Sequence, residues 1–318
     1  MQAEKIAFLF PGQGSQFMGM GESLTQSFSV ARDTYAEAEN ILDTPISRIS
    51  WFGPEEELND TANTQPALLV HSVAAWRVLR DLRPDIVAAF VAGHSLGELS
   101  ALVAAGALPF SSALQLVRQR GQLMKGAGEH SPGGMAAVLG LELASLDAIC
   151  AQASTPTEIV QIANDNCPGQ VVISGAESAL ERAMIAASEA GAKRVVKLAV
   201  SIAAHSPLMS QAQHQFNQAV NEAPIETPQI PIIGNVSARP LSTPDQVRAD
   251  LQAQLTARVR WTESIEYIRA QGVEMFIELG SGDVLSSLVK RIDRKTTRIA
   301  LGTLEDFEKY DSVDPSAE

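Results

Sequence analysis

Gly93-His94-Ser95-Leu96-Gly97 is the stretch of this chain best suited to covalent chemistry. An apolar run, Ile86 to Ala92, leads into it, and a helical pattern, Leu96 to Leu108, follows. Strand, Gly-x-Ser-x-Gly and helix in that order form a nucleophile elbow. The turn is so tight that the serine takes a strained backbone geometry, and only small residues two before and two after it keep strand and helix apart. The hydroxyl then stands at the sheet edge above a helix N-terminus, where free backbone N–H groups can hold an oxyanion. The competing reading of the pentapeptide is an ordinary glycine-rich turn between strand and helix, and the flanking strand and helix patterns argue against it.

A serine nucleophile needs a base. Five histidines are available, at 71, 94, 130, 205 and 214. His94 adjoins Ser95, and neighbours at a strand end point in different directions. His71 and His214 fall within helical patterns and read as structural, and His130 sits in a polar, solvated loop. His205 lies in the loop Ser201-Ile202-Ala203-Ala204-His205-Ser206-Pro207 after an apolar strand, a common setting for a base. On residue chemistry alone it is the best of five. An esterase would also need an orienting acid between serine and histidine. No carboxylate there has a recognisable setting, and the HGGG oxyanion loop of lipases is absent. Gly12-Gln13-Gly14 is the better second source of oxyanion donors.

The elements that must position these groups follow an α/β rhythm. Lys5 to Phe10 reads as a buried strand ending at Pro11. Helices are expected at Ser29 to Leu42, Thr64 to Leu82 and Ser111 to Lys125, the last capped by Ser111 or Ser112. From about Gly128 to Val200 the order becomes β-α-β-β-α-β: strands Gly134 to Leu141, Ile159 to Asn164, Gln170 to Ser174 and Lys193 to Val200, with helices Leu143 to Ala153 and Glu177 to Ala190. That is the split βαβ, or ferredoxin-like, unit. The α/β pattern then resumes, with helices at Ser206 to Asn221, Pro244 to Thr256, Trp261 to Gln271 and Val284 to Ile292. Strands are expected at Pro231 to Asn235, Met275 to Glu278 and Arg298 to Leu301. The expected division is an α/β core from 1–127 and 201–304, a ferredoxin-like insert at 128–200, and a short, frayed acidic tail at 305–318. The insert forms one wall of a cleft, since pockets favour such junctions.

Composition narrows the partners. A chain of 318 residues with a net charge of −13 is a poor match for nucleic acid. No apolar run reaches the roughly 18 to 20 residues of a membrane span, and the first residues lack a signal-peptide pattern. Cys150 and Cys167 are far apart and without a CxxC motif; they read as structural thiols in a reducing cytoplasm. Any acidic partner must dock on a local basic patch, and Lys193, Arg194 and Lys197, or Lys290 and Arg291, are the clusters available.

Several further segments carry a family resemblance. They are Phe10-Pro11-Gly12-Gln13-Gly14-Ser15-Gln16, Gly93-His94-Ser95-Leu96-Gly97-Glu98, Arg118-Gln119-Arg120-Gly121, Asn166 to Gly175, Gly234-Asn235-Val236, and Gln254-Leu255 with Val259-Arg260-Trp261. In order and spacing, over roughly residues 4 to 302, the chain resembles the malonyl-CoA:acyl-carrier-protein transacylase family. The resemblance implies an α/β-hydrolase-like core with a parallel sheet and a ferredoxin-like insert. It implies that Ser95 becomes malonylated and that His205 is its general base and then acid. By the same resemblance, the backbone carbonyl of Gln254 is expected to take the place of the missing triad acid. The N–H groups of Gln13 and Leu96 form the oxyanion hole, each donor worth about 3 kcal/mol in the transition state. The resemblance also implies that Arg120 binds the malonyl carboxylate, a task suited to a planar guanidinium, whereas Arg118 reads as a solvated helix arginine. Ala204, Met124 and Asn166 are expected to line the pocket. Ala204 departs from polyketide relatives, where phenylalanine before the histidine accompanies malonyl and serine accompanies methylmalonyl; Leu96 favours malonyl. The implied substrates are malonyl-CoA and holo acyl carrier protein, with no metal or organic cofactor, and the family precedent is monomeric. The alternatives are a broader, trans-acting polyketide acyltransferase, a thioester hydrolase on the same fold, and a non-catalytic subunit that docks carrier proteins.

Overall fold

The computed structural model describes residues 5–200 and 202–313, and expectations for 1–4, Ser201 and 314–318 lie outside them. Ten strands are present among the described residues: β1 (Lys5–Phe10), β2 (Ala88–Gly93), β3 (Gly133–Leu139), β4 (Val160–Cys167), β5 (Gln170–Ala176), β6 (Arg194–Lys197), β7 (Ile232–Ile233), β8 (Pro240–Leu241), β9 (Val273–Leu279) and β10 (Thr297–Leu301). Six form one sheet in the order β10-β9-β1-β2-β7-β8, parallel except for the antiparallel β7–β8 pair. β1 lies inside this sheet with helices on both faces, which explains its unbroken apolar sequence. Its alternate residues serve two cores: Phe8 and Phe10 face one, Ala7 and Leu9 the other.

The helix Thr61–Leu82 supplies much of the first core. It begins three residues before the expected Thr64, because the Asp60 carboxylate accepts the Ala62 N–H at 3.0 Å and caps it. Pro66 lies within this helix and has no N–H for the Ala62 carbonyl. Arg118 fills the gap, donating to Ala62 O at 2.7 Å and Asn63 Oδ1 at 2.9 Å. The expectation of a solvated Arg118 is therefore wrong; it is a half-buried brace between two helices. Its own helix, Phe110–His130, runs five residues beyond Lys125 and starts at Pro109 with no serine side-chain cap. The helix after the elbow, Gly97–Ala104, is shorter than expected and gives way to Gly106 at φ 66°.

The second sheet has the order β4-β5-β3-β6 and is antiparallel throughout. With helices Leu143–Ala153 and Glu177–Glu189 it forms a β-α-β-β-α-β unit around its own apolar cluster, including Leu146, Ile162, Ile173 and Leu180. β4 runs to Cys167, beyond the expected Asn164, because the hairpin turn needs only Pro168 and Gly169, the latter at φ 72°. Asp165 and Asn166 are thus strand residues. β4 also ties the second sheet to the segment before the helix Trp261–Ala270: Asp165 N–H donates to Val259 O at 2.9 Å, and Val259 N–H donates to Ala163 O at 2.8 Å.

The expected fraying from Glu305 is overturned for the described part. Leu304–Val313 is a helix. Its Phe307 is buried and meets Phe28 edge-to-face at 5.9 Å, and the Asp306 carboxylate accepts the N–H groups of Gly302 and Thr303. Both cysteines are buried and unpaired. Among the described residues no helix is long and apolar enough to cross a membrane.

Candidate active site

β1 and β2 are adjacent parallel strands, so their carboxyl ends deliver Gln13 and Ser95 to one crevice, the usual ligand position on such a sheet. The elbow is as tight as its glycines require. A Cβ on Gly93 would lie 2.0 Å from the Gly97 carbonyl, and one on Gly97 would lie 2.1 Å from Phe10 O. Ser95 has φ 53°, a left-handed conformation unusual for serine. His205 has φ 58°. Two of the four described non-glycine residues at positive φ are therefore the proposed nucleophile and base, as expected where strain is held at a functional site.

Ser95 Oγ and His205 Nε2 are 2.9 Å apart. His205 Nδ1 faces two backbone carbonyls, Gln254 O at 2.8 Å and Ala257 O at 3.1 Å. Carbonyls only accept, so Nδ1 carries the proton and Nε2 is left as the acceptor for the serine hydroxyl. Burial and the adjacent Arg120 cation push the imidazole down to about 3, which keeps it neutral and basic in form. Gln161 on β4 donates to His205 O at 2.8 Å and to Thr256 O at 3.0 Å, pinning the histidine loop to the second sheet.

Arg120 is 1% exposed. It donates to Gln65 Oε1 at 2.7 Å, Gln254 Oε1 at 2.9 Å and Ser95 Oγ at 3.1 Å, and its Nε has no partner. Among the described residues no carboxylate hydrogen-bonds to it. Burial lowers its pKa to about 10, still charged at neutral pH. A buried cation held only by neutral acceptors is suited to pairing with an anion, since an uncompensated charge there costs several kcal/mol. The Ser95 hydroxyl thus accepts from the guanidinium and donates to the imidazole.

The remaining expected residues fall around this centre. The N–H groups of Gln13 and Leu96 donate to no acceptor among the described residues. Gln13 Oε1 accepts from Thr61 Oγ1 at 2.9 Å, Thr61 Oγ1 accepts from Gln65 Nε2 at 2.9 Å, and Gln65 in turn holds Arg120. Met124 is buried, with its Sδ 3.4 Å from Gln65 Nε2. Ala204 is half-buried beside the core, one residue before His205. Asn166 is turned to His94, with Oδ1 2.8 Å from Nε2; this fixes the elbow histidine and gives Asn166 a partner that its expected pocket role did not include. His71 is structural, its Nε2 2.8 Å from Gly302 O, while His214 and His130 are exposed.

Four site residues went unassigned in the sequence reading: Gln65, Gln161, Asn235 and Glu98. Asn235 Oδ1 accepts the Ser95 N–H at 2.8 Å, and its Nδ2 donates to Gly93 O and Glu98 Oε2, both at 2.8 Å. Gln254 does more than lend a carbonyl: its Nε2 donates to Ser95 O at 3.1 Å and to Glu98 Oε2. The available signal was a polar side chain inside an otherwise apolar pattern, as for Gln65, or membership of a quoted motif without a role, as for Glu98 and Asn235.

The acyl transferase domain model matches residues 7–304. The malonyl CoA-acyl carrier protein transacylase of Bacillus subtilis is 44% identical over 306 residues, covering 96% of this chain and 95% of that protein. An acyl carrier protein S-malonyltransferase structure from Vibrio cholerae is 43% identical with a TM-score of 0.92, covering 96% of this chain and 99% of that one. A malonyl-transacylase in complex with its type II PKS acyl-carrier protein is 40% identical with a TM-score of 0.94, covering 98% and 100% respectively. Agreement of this extent, along nearly the whole length and with the same fold, leaves one assignment: the chain belongs to the malonyl CoA-acyl carrier protein transacylases of the acyl transferase family.

Proposed function

We propose that the protein transfers the malonyl group from malonyl-CoA to the phosphopantetheine thiol of a holo acyl carrier protein, through a malonyl ester on Ser95. The observation that carries this reading is one hydroxyl shared by two groups: His205 Nε2 at 2.9 Å and the buried Arg120 guanidinium at 3.1 Å. A malonyl group on Oγ places its carboxylate two C–C bonds, about 1.5 Å each, beyond the ester carbon. A guanidinium already touching Oγ is therefore within reach of that carboxylate, and a bidentate pair neutralises the buried charge.

In the first half-reaction His205 takes the Ser95 proton while Oγ attacks the thioester carbon. The N–H groups of Gln13 and Leu96 hold the oxyanion. The C–S bond breaks, and the CoA thiolate leaves with the proton from His205. In the second, the carrier-protein thiol gives its proton to His205 and attacks the malonyl ester, and Ser95 departs reprotonated. The two backbone carbonyls at Nδ1 steady the imidazolium, so no carboxylate is needed behind it. Each step is a proton transfer or acyl exchange on these side chains, and the scheme assigns none to a metal or organic cofactor. Lys193, just before edge strand β6, and Arg194, its first residue, are both exposed and are the proposed contact for an acidic carrier protein. Lys197 in the same cluster is paired with Glu177. We place the enzyme as a monomer in the reducing cytoplasm, supplying malonyl units for fatty acid synthesis. Loading of a polyketide carrier protein is the second reading, favoured by the relative solved with such a partner.

Intact-mass measurement after mixing with malonyl-CoA tests the reading. A malonyl adduct forms on the wild-type chain, is absent from Ser95→Ala, and moves to holo carrier protein on addition. Release of free malonate without transfer marks a hydrolase, and absence of any adduct refutes the scheme.

A further inference from the structure

Behind the elbow lies a buried carboxyl pair that the transfer scheme does not use. Glu98 is fully buried in the first turn of the helix Gly97–Ala104. Its Oε2 accepts from Asn235 Nδ2 at 2.8 Å and from Gln254 Nε2. Each of these amides also grips the nucleophile's backbone: Asn235 holds Gly93 O and the Ser95 N–H, and Gln254 holds Ser95 O. The carbonyl of Gln254 meanwhile orients His205. One oxygen of Glu98 therefore ties the strained Ser95 backbone to the acceptor behind the base.

The other oxygen has no N–H donor. A second carboxyl, that of Asp250 on the helix Pro244–Gln254, faces the Glu98 carboxyl closely enough for a side-chain hydrogen bond. Asp250 is also spoken for, with Oδ1 accepting the Ser237 N–H and Oδ2 the Val236 N–H, both at 3.2 Å. Two carboxyl groups can hydrogen-bond only if one carries a proton. Asp250 meets backbone donors at both oxygens, whereas Glu98 has an oxygen free of donors, so the proton belongs on Glu98 Oε1. The nearby cation, Arg120, hydrogen-bonds to neither. Burial and the Asp250 charge together push Glu98 well above the usual carboxylate range.

We propose that Glu98 is a positioning residue that works as a neutral carboxylic acid, donating Oε1–H to Asp250 while Oε2 accepts from Asn235 and Gln254, and so locks the elbow and the histidine's acceptor in one register. The proposal deepens the acyl-transfer reading and rests on it for the turnover assay alone.

Three proteins test it: wild type, Glu98→Gln and Glu98→Ala. A glutamine reproduces the acid, since its amide donates to Asp250 and its carbonyl accepts from Asn235 and Gln254. Malonyl-transfer kcat of Glu98→Gln is expected within about 5-fold of wild type. Glu98→Ala removes one of the two acceptors of each amide and the carboxyl facing Asp250, and kcat falls by at least about 100-fold with little change in the malonyl-CoA KM. The rate at which a fluorophosphonate labels Ser95 follows the same order, and this readout holds even if malonyl is not the substrate. In infrared spectra near neutral pH, wild type shows a protonated-carboxyl carbonyl band that Glu98→Gln lacks. A glutamine variant that folds but is as inactive as a nucleophile knockout overturns the proposal. So does an alanine variant with wild-type rates, or an infrared difference without that band. Should the alanine variant fail to fold, the glutamine rate and the infrared band decide alone.

Discussion

Replacing Arg120 with alanine separates the malonyl reading from a general acyltransferase. In the proposed scheme the guanidinium gains two charge-assisted hydrogen bonds to a malonyl carboxylate, each worth about 1.5 to 3 kcal/mol. Their loss is about 3 to 6 kcal/mol, or roughly 10² to 10⁴-fold in kcat/KM for malonyl-CoA. Acetyl-CoA offers no carboxylate, so its transfer stays constant or rises as the unpaired buried cation disappears. The fold should survive. Gln65 Oε1 and Gln254 Oε1 lose a donor each, at about 1 to 3 kcal/mol apiece, and relief of the buried charge offsets this. The variant has a second signature. Arg120 is one of the two main influences depressing His205 to about 3; without that cation the imidazolium is less disfavoured and the pKa rises. The acid limb of residual acetyl transfer therefore moves to higher pH. The assay is kcat/KM for both thioesters across pH, with thermal melting to check the fold. Equal losses for malonyl and acetyl, with no movement of the acid limb, would refute the reasoning, because Arg120 would then be a scaffold and not the carboxylate's partner.

Ala204→Phe should sharpen selection of malonyl over methylmalonyl, since one methyl group against a filled pocket wall is worth about 1 to 3 kcal/mol; competition between the two thioesters measures the ratio, and no change in an active variant removes residue 204 from the wall. Lys193→Glu with Arg194→Glu should raise the carrier-protein KM, more at low salt, and leave the malonyl-CoA KM nearly constant; an unchanged carrier-protein KM at low ionic strength locates docking elsewhere. Acid stability carries a histidine signature. His71 is buried with a pKa lowered by burial to about 4, against about 6.5 unfolded. The unfolded chain binds more protons between those values, so stability is full above about 6.5 and falls as pH drops toward 4, by about 3 kcal/mol from this residue. His71→Gln keeps a donor for Gly302 O without a titrating group, so its urea midpoint should fall less steeply over that range, and parallel slopes for the two proteins contradict the assignment. Glu278 acts in the opposite direction: burial raises it to about 7, so its contribution is full below about 4.5 and is lost as pH climbs to 7.

Much of the molecule was legible in one dimension because its determinants are local. The unbroken apolar β1, the helices Ser29–Leu42, Leu143–Ala153 and Val284–Ile292, and the Gly-x-Ser-x-Gly turn each follow from residues within one element. Boundaries drifted where a distant group supplied the missing partner. Arg118 allows a helix to carry Pro66 by serving the carbonyl the proline cannot, and Phe28 gives the last acidic helix an apolar surface to dock on. Residue chemistry singled out Ser95, and made His205 the best of five histidines; the family resemblance added Arg120 and the carbonyl of Gln254. Hydrogen-bond direction and burial were settled between elements far apart in the chain. The imidazole tautomer depends on carbonyls some fifty residues away, the elbow on Asn235 across 140 positions, and the uncompensated charge of Arg120 on which neutral side chains fold around it. Residue type defines what a group can donate, accept or attack; the protonation state and direction in which it does so follow from desolvation and from partners that only the folded chain brings within 3 Å.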